Sequence, residues 1–162
     1  MRISGRCMVL GDNINTDIVY PGRHLSILDW KEQASHAFEN LGPDMPAKVA
    51  SHPVIVAGRN FGCGSSREHA ATALLGAGTQ AVVAKSFSRI FFRNCVNNGL
   101  AVIQSEELPD LVKDGETLTA DLAAGTAEAG GKTVAFDPLP QALLDILRHG
   151  GLWGRWKAQK AS

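Results

Sequence analysis

The sequence is poor in cysteine and has no surplus of charge, and both shortages narrow what it can be. Its three cysteines, Cys7, Cys63 and Cys95, are odd in number, far apart and without a C-x-x-C pair. That argues against a disulfide framework and against a structural zinc site. Lys and Arg number 16, Asp and Glu also 16, and the sequence pI is about 7.0. A nucleic-acid or acidic-membrane surface needs clustered basic charge, so neither is an expected partner. No apolar run is long enough to span a bilayer, and Met1 to Arg6 lack the apolar core of a signal peptide. A cytoplasmic location is expected.

What is present suits one globular domain over residues 1–162, with a frayed tail from about residue 157: 44% of residues are hydrophobic and 20% charged. Residues 3–10 read as a strand and Gly11 to Gly22 as a polar loop. Residues 29–40 read as a helix capped by Asp29, with Trp30, Ala34, Ala37 and Phe38 on one face, ended by Gly42-Pro43. Residues 53–57, 81–84 and 100–103 are short apolar runs of the kind that form buried strands. Helices over about 66–76 and from a Ser86 cap to about Asn97 separate them. This β-α-β-α-β alternation implies an α/β fold with a parallel central sheet. Residues 117–122 and 132–136 alternate apolar and polar, as in antiparallel strands with one wet face. A last helix is expected over about 139–149, ended by Gly150-Gly151.

The most informative stretch is Gly58-Arg59-Asn60-Phe61-Gly62-Cys63-Gly64-Ser65-Ser66-Arg67-Glu68-His69, between a strand and a helix. Ser65 and Glu68 have capping-box spacing, which predicts Ser65 at the helix N-cap and Arg67 just inside. A hydroxyl, a guanidinium and a helix N-terminus together suit a carboxylate or another oxyanion. No Gly-Lys-Ser/Thr follows, so this is no Walker loop, and the dinucleotide fingerprint fails in register. A non-catalytic oxyanion-binding loop is the alternative. Cys63 reads as a small packing residue and His69 as a structural histidine. Asp12 to Asp17 resembles a calcium loop but lacks the terminal Glu, so no metal is expected there. Lys85-Ser86-Phe87-Ser88-Arg89 follows a buried strand, at the end where α/β sheets bind ligands.

Taken together, Gly11–Asp17, Pro21-Gly22-Arg23, Asn60–Ala70 and Ala84–Asn94 resemble the small subunits of the 3-isopropylmalate dehydratases, and more broadly the swivelling domain of the aconitase superfamily. The order and spacing fit from residue 5 to about 153. The resemblance implies a three-layer β/β/α fold whose central sheet is mostly parallel, with an antiparallel segment near the C-terminus. It implies a hydro-lyase that dehydrates and rehydrates a small malate-type hydroxy acid. It also implies a large subunit carrying a [4Fe–4S] cluster, in a heterodimer or heterotetramer, with no cofactor on this chain.

Residue by residue, the resemblance gives Ser65 as the base, acting as an alkoxide, and Arg67 as the carboxylate clamp. Asp17 falls on the family's Thr-Asp motif and is expected to organise the site. Ser66, Lys85 and Arg89 are expected to support substrate binding. The segment His24-Leu25-Ser26-Ile27 falls where the family reads the substrate's variable side chain. Relatives acting on tricarboxylic acids carry an arginine near Ser26, and this chain has none there. An apolar substituent is therefore favoured, because a buried carboxylate without a partner is costly. Isopropylmalate is the first expectation, with citramalate, dimethylmalate and homoaconitate-type enzymes as alternatives.

Overall fold

Three short runs rich in β-branched and small apolar residues, 54–57, 81–84 and 101–103, make the heart of the sheet, as continuous burial on both faces demands. The computed structural model describes residues 1–161. Its elements run β1 (Arg2–Val9), α1 (Thr16–Val19), a 3-10 turn (Gly22–His24), α2 (Trp30–Ala34), a second 3-10 turn (Glu39–Leu41), α3 (Met45–Ser51), β2 (Val54–Ala57) and α4 (His69–Gly76). They continue with β3 (Ala81–Ala84), α5 (Arg89–Asn98), β4 (Ala101–Gln104), α6 (Leu108–Leu111), β5 (Thr117–Asp121), β6 (Thr126–Ala129), β7 (Lys132–Ala135), α7 (Gln141–Arg148) and α8 (Leu152–Lys160).

The strands form one seven-stranded sheet in the order β4-β3-β2-β1-β5-β6-β7. β1 joins its two halves: Cys7–Val9 pair parallel with β2, and Arg2–Arg6 pair antiparallel with β5. Because side chains alternate along a strand, β2 and β3 supply two cores. Ile55 and Val82 meet Leu74 of α4 and Phe91 and Cys95 of α5. Val54, Val56, Ala81 and Val83 meet Leu118 and Ala120 of β5 and Ala127 of β6. The antiparallel half therefore curls over one face of the parallel half while helices cover the other, which is the expected β/β/α layering.

Several local expectations are corrected. The helix foreseen over 29–40 keeps its Asp29 cap, whose carboxylate accepts from the Glu32 N–H at 2.9 Å, but stops at Ala34. The chain then turns so that Ala37 and Phe38 are fully buried, and Phe38 donates its N–H to the Val19 carbonyl at 2.9 Å. Trp30 is left exposed, and the buried side chain of α2 is Gln33, bonded to Thr72 and to the Ile27 carbonyl. The tail does not fray at residue 157: α8 continues to Lys160, with Trp153 and Trp156 exposed and stacked on one another. Helices α3 and α6 and strand β6 lie where the sequence pattern predicts no element, and the stretch from Gly11 to Gly22, expected as a loop, contains the short helix α1.

Candidate active site

Three loops leave the C-terminal ends of β1, β2 and β3 side by side, and the backbone knits them into one rim. On the β1 side, Arg59 donates its N–H to Asp12 Oδ1 at 2.6 Å, Gly62 donates to the Ile14 carbonyl at 2.7 Å, and the Thr16 N–H reaches the Cys63 carbonyl at 2.9 Å. On the β3 side, Asn60 donates its N–H to Ser86 Oγ at 2.8 Å, and Phe61 donates to the Ser86 carbonyl at 3.0 Å. Ser86 is therefore a brace for the glycine loop and does not cap α5, which begins at Arg89 after Ser88. Gly62 has no substitute: its φ is +75° and a Cβ would lie 2.2 Å from Phe91 Cγ.

The capping box predicted at Ser65 does not form. Helix α4 starts at His69, its N-cap position is Glu68, and the Glu68 carboxylate accepts from Asn98 Nδ2 at 2.8 Å. Ser65 instead uses its carbonyl, which accepts from Thr16 Oγ1 at 3.1 Å and from the Arg67 N–H at 2.8 Å. This folds the loop so that the side chains of Ser65 and Ser66 stand exposed. Arg67 lies lower: its side chain is 21% exposed, ion-paired through Nη1 with Asp17 Oδ1, and packed over Gly22. Asp17 is at the open end of that pair, 59% exposed. The Arg67 hydrogen bond, helped by the Arg67 charge and the Gly22 N–H, holds its carboxyl below the usual range against the opposing effect of burial. His69 takes a structural place, stacked 5.8 Å from Tyr20.

The segment after Gly22 is only partly free. Leu25 and Ser26 are exposed and Ile27 is half-buried. His24, expected to face substrate, turns its Nε2 onto Glu39 Oε1 at 2.6 Å and stacks on His36 at 3.6 Å between ring centroids. Lys85 is also committed elsewhere: its ammonium pairs with Asp110 of α6 at 2.7 Å. Arg89 is exposed at the start of α5, where with Arg93, Phe87, Phe92 and Gln104 it rims a hollow of about 260 Å³.

Thr16 and Gly22 lie inside the motifs that carry the family resemblance but had no role of their own assigned from sequence, and Glu39 and Asn40 were missed. The Thr-Asp and Pro-Gly dipeptides were the only local signals. Glu39 and Asn40 reach the site from 15 or more residues away and carry none. Metal-ligating side chains gather in one place among the described residues, at His24, His36 and Glu39. The cysteines do not gather: Cys7 and Cys95 are fully buried in separate cores, and Cys63 is half-buried in the loop. Burial pushes the Cys7 thiol up to about 11 and raises that of Cys95 as well. Such a set does not fit an iron–sulfur cluster, which needs converging thiolates.

Residues 13–108 match the family of aconitase C-terminal domains. The chain is 44% identical over 154 residues to a protein of Syntrophus aciditrophicus named 3-isopropylmalate dehydratase small subunit, covering 94% of each chain. It is 47% identical over 154 residues to one of the same name from Pyrobaculum aerophilum, covering 94% of this chain and 95% of the relative. A crystal structure of 3-isopropylmalate dehydratase from Methanocaldococcus jannaschii superposes with a TM-score of 0.91 at 40% identity, covering 99% of this chain and 96% of that one.

Proposed function

The chain belongs to the family of aconitase C-terminal domains, and from that membership we propose that it is the small subunit of a 3-isopropylmalate dehydratase, with Ser65 and Arg67 as its contribution to the chemistry. The reaction is the reversible loss and return of water between 2-isopropylmalate and 3-isopropylmalate. The small subunit works with a large subunit, in a heterodimer or heterotetramer. No helix among the described residues is long and apolar enough to cross a membrane; we assign the complex to the cytoplasm.

The observation that carries the reading is the Ser65–Arg67 turn: an exposed serine two residues before an arginine whose guanidinium is largely shielded from water, ion-paired with Asp17 and packed over Gly22. Elimination removes a proton from the carbon next to a carboxylate, and that weakly acidic C–H needs a strong base. Ser65, as its alkoxide, takes the proton. The C–H electron pair becomes the double bond, and hydroxide leaves from the neighbouring carbon. A [4Fe–4S] cluster on the large subunit, when bound, supplies a Lewis acid for that leaving oxygen.

Arg67 does two things. Asp17 occupies only its Nη1, so the remaining donors are free to hold a substrate carboxylate as a fork. Its charge also favours the Ser65 alkoxide. The helix dipole contributes less than the sequence suggested, because α4 begins beyond Arg67, at His69.

Substrate choice follows from charge. Leu25 and Ile27 flank Ser26, and the nearby Arg23 is neutralised by Glu39 and bonded to Asn40. An additional carboxylate would meet no free cation there, whereas an isopropyl group meets apolar side chains. Leu25, Leu28 and Trp30, all exposed beside the site, form a surface for the large subunit to cover.

The test is co-expression with a large subunit and an anaerobic assay on isopropylmalate. Ser65→Ala should abolish turnover while the complex still forms. Substantial residual turnover removes Ser65 as the base, and turnover by the isolated chain overturns the division of labour.

A further inference from the structure

We infer that Glu39 is a positioning residue that fixes the substrate-facing segment His24–Ile27 and, through Asn40, ties it to the Asp17–Arg67 pair; this rests on the function proposed above. The carboxylate of Glu39 gathers three side chains. Oε1 accepts from Arg23 and from His24 Nε2, the latter at 2.6 Å, and Oε2 accepts from His36 Nδ1 at 2.7 Å. Both imidazoles therefore carry their protons on the nitrogens facing Glu39. The next residue links the two halves of the site. Asn40 Oδ1 accepts from Arg23 Nη1 at 3.2 Å, and its Nδ2 donates to the Asp17 carbonyl at 3.1 Å. One 3-10 turn, Glu39–Leu41, thus touches both the segment expected to read the side chain of the substrate and the backbone of the residue that anchors Arg67.

The chain bends sharply to make that turn. Phe38, fully buried, has φ of +57°, a left-handed conformation that non-glycine residues hold only where their surroundings dictate it. From the other side, buried Tyr20 donates its hydroxyl to the His24 carbonyl at 2.8 Å and stacks on His69 at the start of α4. The segment 22–27 is therefore pinned at its first turn by two independent contacts, with Leu25 and Ser26 left outward.

A metal centre is the competing use of the same groups, whose ligand atoms all lie within 4.8 Å of one another. The ring geometry opposes it. The two imidazoles lie 3.6 Å apart at 18°, and an ion bound by an imidazole nitrogen sits near that ring's plane, so one ion cannot satisfy both rings as they stand. The guanidinium of Arg23 on the same carboxylate also repels a cation.

The experiment compares wild type, Glu39→Ala and the near-isosteric Glu39→Gln. In the isolated chain, amide hydrogen exchange over residues 23–28 should quicken by roughly tenfold in Glu39→Ala, with β2, β3 and β4 unchanged, and by less in Glu39→Gln. In the complex, Glu39→Ala should raise KM for isopropylmalate about tenfold with kcat within about twofold, because the segment orients substrate without touching reacting atoms. Exchange unchanged over 23–28 overturns the inference, as does an equal fall in kcat and kcat/KM. Tight stoichiometric binding of Zn²⁺ to the wild-type chain, lost in Glu39→Ala, also overturns it in favour of a metal centre. If the wild-type complex turns over no isopropylmalate, the proposed function fails, and the exchange measurement still decides the role of Glu39.

Discussion

Gly22→Ala is the substitution that separates the function of the site from the stability of the fold. Gly22 opens a 3-10 turn and is absent from the residues with positive φ, so alanine adopts its backbone without strain. Removing a glycine at such a position stabilises by about 0.4–1 kcal/mol through the unfolded chain, or roughly 1–4 °C in Tm for a domain of this size. The added Cβ would lie 3.1 Å from Arg67 Nη2 and 3.3 Å from its Cζ. Ordinary contact needs about 3.5 Å, so the guanidinium has to move by about 0.4 Å. A misplacement of 1 Å in a positioned group can cost about 100-fold, and scaled in the exponent 0.4 Å costs about sixfold, near 1 kcal/mol of transition-state stabilisation. The expected result is a Tm equal to or above wild type with kcat/KM about sixfold lower, measured by thermal unfolding of the chain and by the anaerobic assay of the complex. Unchanged kcat/KM alongside an unchanged fold would refute the assignment of Arg67 as the carboxylate clamp.

Arg67→Lys should lower kcat/KM by at least about 100-fold, since an ammonium cannot pair with Asp17 and fork a carboxylate together; the same assay measures it, and near-normal kinetics make Arg67 a bystander. Gly62→Ala should destabilise by about 2–5 kcal/mol, adding left-handed strain to an overlap with Phe91, seen as a large drop in urea midpoint. A maleimide at neutral pH should modify one thiol in the native chain, Cys63, and three after unfolding, because Cys7 and Cys95 are fully buried with raised pKa. Mass spectrometry counts the adducts, and more than one fast adduct contradicts the burial. Because Arg67 lowers the Asp17 pKa in the folded state, the pair stabilises the fold above the ordinary carboxylate pKa of about 4, and this is lost as pH falls through the lower folded value. The stability gap between wild type and Asp17→Asn should therefore hold constant above about pH 5 and close in acid; a gap that widens in acid has the wrong sign for this pair.

The sheet was legible because its strands speak for themselves. Val54–Ala57 and Ala81–Ala84 are buried at every position, and a run with no polar residue has few other places to go. Short helices were not legible, since α3 and α6 are each anchored by one buried side chain, Val49 and Leu108, and the second 3-10 turn by the polar contacts of Glu39 and Asn40, with little periodicity of their own. Two signals misled. Ser65 and Ser86 both stand where a capping serine belongs, yet neither caps. Ser86 gives its hydroxyl to the Asn60 N–H of the neighbouring loop, a longer-range partner that wins over a local cap, whereas Ser65 bonds only through its carbonyl, to Thr16 and Arg67, and keeps its hydroxyl exposed because α4 starts later, at His69.

That competition is what the site is made from. The motif Gly62–His69 announces an oxyanion loop by composition, but the direction in which Arg67 points depends on Asp17 and Gly22, 50 and 45 residues away in the chain. The shape of the His24–Ile27 segment depends on a glutamate that no local pattern marks. A chain sharing only the loop motif would have the hydroxyl and the guanidinium without their alignment. The Arg67 contacts across the rim, more than the loop itself, are therefore the features that should distinguish a working subunit from a mere anion-binding turn. Asp17→Asn combined with Gly22→Ala tests this: since both act through one side chain, their effects on kcat/KM should fall short of the product of the single losses, whereas independent effects would multiply.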